Sequence, residues 1–328
     1  MANLSTSYMG FNLKNPIIVG SSGLTNSVEN IVEIEKNGAA AVVLKSLFEE
    51  QINHTISKTM HSTADNFSYP EADDYISNYT RQNDVDIYLK LIKGAKEKVQ
   101  IPVIASINCI SSADWISFAN KIQDAGADGL ELNIFILPSD PKHDASQNEA
   151  VYFEIIENVR KQLSIPIAVK ISSYFSGFAN TAVKLSWTGI NGLVFFNRFF
   201  SPDIDIDNFK VTATNVFSQP EELAMSLRWV AMLSSRLHCD VAASTGIHDG
   251  AAVIKQLLAG AKATQISTIL YKKGFEQIGV MLKELEAWMD KHNFSKPDDF
   301  IGKMSIKELE NPAAYERVQF MKHFSGIE

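Results

Sequence analysis

The sequence predicts an α/β protein of the (β/α)8 TIM barrel class, on three observations. Eight short β-rich apolar runs alternate with amphipathic segments along 328 residues. The runs are continuously apolar rather than alternating, as expected of parallel strands buried on both faces. A weak internal repeat, NGAAAVVL, AGADGLEL, TGINGLVF and AGAKATQI, closes a helix with glycine and enters a strand at once. A doubly wound open sheet is the competing architecture, but no GxGxxG follows the first strand and the unit count favours the barrel. No linker sets off a second domain, so residues 1–328 read as one barrel domain.

The strands are expected at Ile17–Gly20, Ala40–Leu47, Ile101–Asn108, Gly129–Phe135, Ile165–Ile171, Ile190–Asn197, Asp240–Ile247 and Ala263–Leu270. Pro102 and Pro166 fall at strand starts, where a missing N–H is tolerated. Helical patterns are expected at Val28–Asn37, Ser112–Ala125, Glu149–Leu163, Glu221–Leu237 and Gly250–Ala259. Gly38, Gly126, Gly189 and Gly260 suit the position just past a helix end, where positive φ is needed. Three connections are long: a polar insertion over 48–83, then 136–148 and 198–218. Each leaves the C-terminal end of a strand, the rim where barrels build their sites. The tail from Ser295 to Glu328 is expected to be a cover of short helices.

Composition removes several classes. The net charge of −8 argues against a nucleic-acid surface. No run of 18 apolar residues suggests a membrane span, and the N-terminus lacks the basic and apolar regions of a secretory signal. Two distant cysteines, Cys109 and Cys239, fit a reducing cytoplasm and no disulfide framework. Neither HxH nor HExxH occurs, so no metal is expected.

The last residues of each strand give the rim. They read Gly20-Ser21-Ser22-Gly23, Lys45-Ser46, Ser106-Ile107-Asn108-Cys109, Glu131 with Asn133, Lys170, Asn197-Arg198, Ser244-Thr245-Gly246, and Gln265 with Ser267 and Thr268. Lys45 and Lys170 sit in otherwise apolar strands, and a buried ammonium is costly unless it meets an anion or strong acceptors. Either they pair with Glu131 in a buried network, or they face an anionic ligand in the barrel mouth. The small residues of STG and QIST leave backbone N–H groups open at a place where barrels often hold a phosphate. Together these features suggest a phosphorylated cofactor with a polar conjugated ring.

Taken in order, the segments FNLKNPIIVGSSG, LKS, ELN, VKI, FFN, STGI, QISTIL and DFIGKM resemble the dihydroorotate dehydrogenase family, nearest its soluble class 1 branch. The resemblance implies an FMN-dependent oxidoreductase of pyrimidine biosynthesis, a homodimer taking dihydroorotate or a similar cyclic, anionic small molecule. It implies that Ser22, Gly23, Lys45 and Ser46 lie along the flavin ring and ribityl chain. Lys170 would face the flavin N1 and C2 carbonyl, Asn133 and Asn197 the flavin or a planar substrate amide, and Thr245, Gly246, Ser267 and Thr268 the phosphate. Asn66 would answer to a substrate-binding Asn. Any iron–sulfur cluster would sit on an electron-transfer partner, since no ligand set for one is present here.

The sequence departs from the family after strand 2, where the family's Asn-Ser-Met-Gly-Leu-Pro-Asn is reduced to something like NFSYPEA, and again after strand 4. The family's fourth-strand loop reads ELN, two residues, a Cys or Ser that removes the substrate proton, then Pro-Asn. Here it reads ELNIFILPSD, one residue longer, with Ile136 or Leu137 at the base position. Substitute bases from elsewhere on the rim are Cys109, Tyr69, Tyr174, His54 and His61, and Arg198 could bind a substrate carboxylate or form a rim salt bridge with Asp203 or Asp205. Cys239 begins the seventh strand at the far end and reads as structural. Two rival readings remain: a non-catalytic flavin-binding barrel, and a flavin-free phosphate-binding lyase or isomerase using Lys45 or Lys170.

Overall fold

The computed structural model describes residues 2–48, 70–109, 115–199, 201–311 and 313–316. An N-terminal hairpin, β1 (Thr6–Tyr8) and β2 (Phe11–Leu13), precedes the barrel. The barrel strands are β3 (Ile17–Val19), β4 (Ala41–Val43) with its continuation β5 (Leu47–Phe48), β6 (Val103–Cys109), β7 (Gly129–Ile134), β8 (Ile167–Ile171) and β9 (Gly192–Phe195). A second hairpin, β10 (Pro202–Asp205) and β11 (Lys210–Ala213), interrupts the series before β12 (Asp240–Ser244) and β13 (Ala263–Ile266). The parallel strands pair in the ring β3-β4-β6-β7-β8-β9-β12-β13 and back to β3, a closed (β/α)8 barrel.

The helices alternate with these strands: α1 (Val28–Lys36), α2 (Pro70–Lys98), α3 (Trp115–Asp124), α4 (Ala145–Arg160), α5 (Phe178–Ser186), α6 (Leu223–Leu233), α7 (Gly250–Ala259) and the short α8 (Thr268–Lys273). Then follow α9 (Gln277–Lys291) and, in the tail, a 3-10 turn at Pro297–Asp299 and α10 (Ala313–Glu316). Gly38, Gly126, Gly189 and Gly260 all take positive φ where helices hand over to strands, as expected. The strand-to-helix side chains form one buried shell between sheet and helices.

Several boundaries move. The insertion does not stay irregular to residue 83, because α2 begins at Pro70. Proline lacks an N–H that a first helical turn could not use, and the polar run after it offers no apolar stripe to read. Strand seven stops at Ser244, since Thr245 and Gly246 take φ of 75° and 76° and leave the ladder. Strand eight stops at Ile266, with Ser267 capping and Thr268 opening α8. Strand six stops at Phe195, so Asn197 and Arg198 lie beyond it; the Phe195–Phe196 peptide is cis.

Lys45 and Ser46 fall in a break between β4 and β5 rather than on one strand. Helix α2 fills that break. Ser106 N–H donates to Tyr88 OH at 2.7 Å, and Tyr88 OH donates to the Ser106 carbonyl at 3.0 Å. A phenol thus takes the place of a missing ladder partner, which a buried backbone requires.

Inside the ring, alternation along the strands sends Ile18, Val43, Ile104, Ala168, Val194, Ala242 and Ala263 into one small apolar cluster. The N-terminal hairpin seals it from below with Tyr8, Met9 and Leu13. Thr6 Oγ1 donates to the Lys262 carbonyl and Met9 N–H to Asp240, tying this plug to the last strands. Burial pushes the Cys239 thiol up to about 12, in keeping with a structural role at this closed end.

Candidate active site

One pleat toward the C-terminal end the barrel interior turns polar. Ser106, Glu131, Lys170 and Gln265 each stand two residues past a member of the apolar cluster or past Gly129. Lys170 is 8% exposed, Glu131 1% and Gln265 3%. Lys170 Nζ donates to Gln265 Oε1 at 2.8 Å, and Gln265 Nε2 donates to Glu131 Oε2. The lysine and glutamate are therefore joined through an amide, not in the direct pair that the sequence left open. Burial pushes the Lys170 ammonium below its ordinary value, with Glu131 opposing that shift. Lys45 is half-buried, and its backbone N–H donates to the Thr25 carbonyl at 3.3 Å.

Lys170 faces a cleft of about 250 Å³ at the mouth. The cleft brings together Asn197, Arg198, Thr245, Gly246, Ser267 and Thr268 from the expected set, along with Ser21, Ser218 and Ser244. Its floor is small for steric reasons. A Cβ on Gly246 would lie 2.3 Å from the Leu223 backbone nitrogen, so this turn seats directly on the start of α6. Thr268 Oγ1 accepts from Ser218 N–H at 3.3 Å and from Ser218 Oγ at 3.1 Å, and the Ser218 hydroxyl reaches His248 Nε2 at 3.1 Å. Burial, then the nearby Lys272, lowers the His248 pKa. Thr245 Oγ1 donates to the Phe196 carbonyl, while the Ser267 side chain caps no helix N–H.

Sequence reasoning missed Ser218 and His248. They come from separate loops and carry no local pattern; only the position of His248 just after STGI pointed toward it.

The remaining expected residues are connected to the cleft without lining it. Ser21 Oγ meets Ser46 Oγ at 3.0 Å, and Ser46 Oγ meets Ser106 Oγ at 2.7 Å, a hydroxyl ladder over the β4 break. Ser22 is spent locally, accepting from Leu24 N–H, and Gly23 packs beneath Tyr271, whose hydroxyl would lie 2.7 Å from a Cβ. Asn197 Nδ2 donates to Asn133 Oδ1 across the mouth.

The opposite side of the mouth is apolar. Phe135 stacks on Phe199 with centroids 4.0 Å apart, and Tyr174 adds to Phe199 at 5.0 Å. Phe135 follows Asn133 by two residues and Phe199 follows Asn197 by two, so the aromatic group stands just outside the asparagine pair. In the loop after β7, Ile136 is half-buried with its N–H donating to Tyr152 OH, and Leu137 is 55% exposed. Neither side chain accepts a proton. Arg198 is held by Glu222, at 2.9 and 3.3 Å, and by the Val216 and Asn215 carbonyls, so its salt-bridge partner is Glu222 and not Asp203 or Asp205. Tyr69, His54, His61 and Asn66, and the Cys109 side chain, lie outside the described residues. Among the described residues no group of three or more His, Cys, Asp or Glu could hold a metal, and no helix is long and apolar enough to cross a membrane.

A closed parallel barrel with a buried ammonium and a cluster of small hydroxyl residues at its C-terminal mouth is of the (β/α)8 class, in which sites are built at that end. The sequence matches the family model described as dihydroorotate dehydrogenase over residues 3–289, and the chain belongs to that family. Its members are flavoprotein oxidoreductases acting on a CH–CH group. The chain is 26% identical to the catalytic subunit of dihydroorotate dehydrogenase B (NAD(+)) of Thermoplasma acidophilum, over 92% of this chain and 99% of the relative. It is 25% identical to the same subunit of Pyrococcus abyssi, over 91% and 98%. To dihydroorotate dehydrogenase A (fumarate) of Lactococcus lactis it is 25% identical, over 92% and 99%.

Proposed function

We propose that the protein binds FMN at this mouth and oxidises a small cyclic substrate of the dihydroorotate type by hydride transfer. The observation that carries the reading is Lys170: a buried ammonium, turned into a polar cleft, whose hydrogen-bond partner among the described residues is a neutral amide. Such a group favours an electron-rich ligand edge beside it. The donor set fits the rest of the cofactor. Thr245, Gly246, Ser267 and Thr268 would hold the phosphate, and the glycine floor leaves the backbone open to it. Ser22, Gly23, Lys45 and Ser46 would lie along the ring and ribityl chain. Asn133 and Asn197 would bind the ring or a substrate amide.

When bound, FMN supplies a two-electron acceptor. The chain's part is to orient the ring and to balance negative charge with Lys170. Oxidation of a CH–CH bond releases one hydride and one proton, and Ile136 and Leu137 cannot take the proton. Water at the open mouth, or one of the rim groups Tyr174, Tyr69, His54, His61 and Cys109, takes it instead, at a rate below that of a positioned base. We further place the protein in the cytoplasm as a homodimer, passing electrons to a soluble acceptor or a partner protein. NAD+ and fumarate, named for the relatives, are the acceptors to try.

The same Ile136–Leu137 pair favours one rival, a flavin-binding barrel without turnover. An anaerobic visible spectrum before and after adding dihydroorotate separates the two. A yellow protein that bleaches supports the oxidoreductase; one that stays yellow supports the rival. A colourless protein that takes up no FMN overturns both, and borohydride trapping would then test for a lysine-dependent lyase.

A further inference from the structure

Gln265 on β13 lies across the ring from β7 and three strands from β8, yet its amide touches a residue on each, Glu131 and Lys170. Gly20 on the neighbouring strand leaves it room; a Cβ there would lie 3.3 Å from Gln265 Cβ and 3.5 Å from Oε1. The amide has one orientation that serves both ends, its oxygen toward the ammonium and its nitrogen toward the carboxylate. Glu131 Oε1 is buried and has no hydrogen-bond partner among the described residues. An unshared buried carboxylate is costly, so its charge is balanced through Gln265 by Lys170.

We propose that Glu131 and Gln265 are positioning residues for this reaction, fixing the Lys170 ammonium at the cleft and keeping it protonated, the carboxylate acting through the amide. This rests on the reading that the cleft holds FMN. No other described titratable group is hydrogen-bonded to either member of the pair. Tyr8 from the hairpin below and Tyr88 from α2 are both pushed up by burial and stay as neutral phenols. Arg198 is tied to Glu222, the His248 pKa is lowered, and Lys45 makes no hydrogen bond to either member. Cys239 and Asp240 lie at the closed end against Tyr8.

The consequence is a proton count. With Lys170 charged in advance, reducing the bound ring to its anionic form takes up one proton per electron pair. Without its counter-charge Lys170 loses its proton, and reduction then draws in a second. The test is the midpoint potential of bound FMN against pH from 6 to 9, in wild type, Glu131→Gln and Gln265→Met. Both changes are nearly isosteric, and thermal melting confirms the fold. The wild-type slope should correspond to one proton per electron pair, and both variants should show a stretch at twice that slope. Variants that retain FMN with the wild-type slope throughout overturn the proposal alone. A wild type that takes up no FMN overturns the cofactor reading and this proposal with it.

Discussion

The two sides of the barrel mouth are built from opposite chemistries. Around β12, β13 and the end of β3 the lining is glycine, serine and threonine, with close backbone packing and the Lys170–Gln265 pair at its floor. Around β7, β8 and β9 the asparagine pair gives way within two residues to Phe135 and Phe199, and then to Ile136 and Leu137. The first side leaves almost no room for substitution, since a single methyl on Gly246 would collide with α6. The second consists of loop residues past the strand ends, which can change without touching the sheet. A barrel can therefore keep its means of holding a cofactor while the chemistry it applies to a substrate is rewritten in the loops.

That contrast can be broken at its weakest point first. Replacing Ile136 by Ser and deleting Leu137 restores the family's spacing between ELN and proline. If the loop is what limits turnover, anaerobic bleaching by dihydroorotate should speed up about 100-fold. An unchanged rate would mean that this side no longer receives dihydroorotate. The next largest effect belongs to the other side. Gly246→Ala combines a forced positive φ with a backbone clash and should cost about 3 kcal/mol, read as a lower urea midpoint at constant slope. Lys170→Ala should weaken FMN binding about 10- to 100-fold, measured by fluorescence titration of the apoprotein. Unchanged affinity would remove Lys170 from the site.

The smallest effect is one of pH. Because the His248 pKa lies below its ordinary 6.5 in the folded state, the unfolded chain binds more protons in that range. Stability should thus fall as pH drops through about 6.5 and level off below the folded-state value. His248→Gln should flatten that part of a urea-midpoint profile, and no change would show that the imidazole is not held as described.

The barrel was legible because its strands are buried on both faces and its helices end on glycine. Both are properties of adjacent residues. Lys170, Asn197, Thr245 and Gly246 could be placed for the same reason, as each follows a readable strand. What escaped reading depends on distant contacts. Hairpin β1–β2 has strands of three residues each, too short for a period to show. Tyr88 looks like one more helix residue until the break beside Ser106 is known. The bridge through Gln265 requires three strands on opposite sides of the ring. A direct Lys170–Glu131 pair was one of two readings the sequence left open, because charges are visible there and an amide linking them is not.

The N-terminal plug carries a consequence for how the chain is made. Thr6 and its acceptor Lys262 are 256 residues apart, and Met9 binds Asp240 at a separation of 231. At ribosomal speeds of about 5–20 residues per second, the hairpin waits roughly 12 to 50 seconds for the strands that receive it. During that interval Tyr8, Met9 and Leu13, fully buried in the finished barrel, have no native surface to cover them. Residues 6–13 are thus made well before the strands that cover them, which makes this stretch of the nascent chain a natural client for a chaperone.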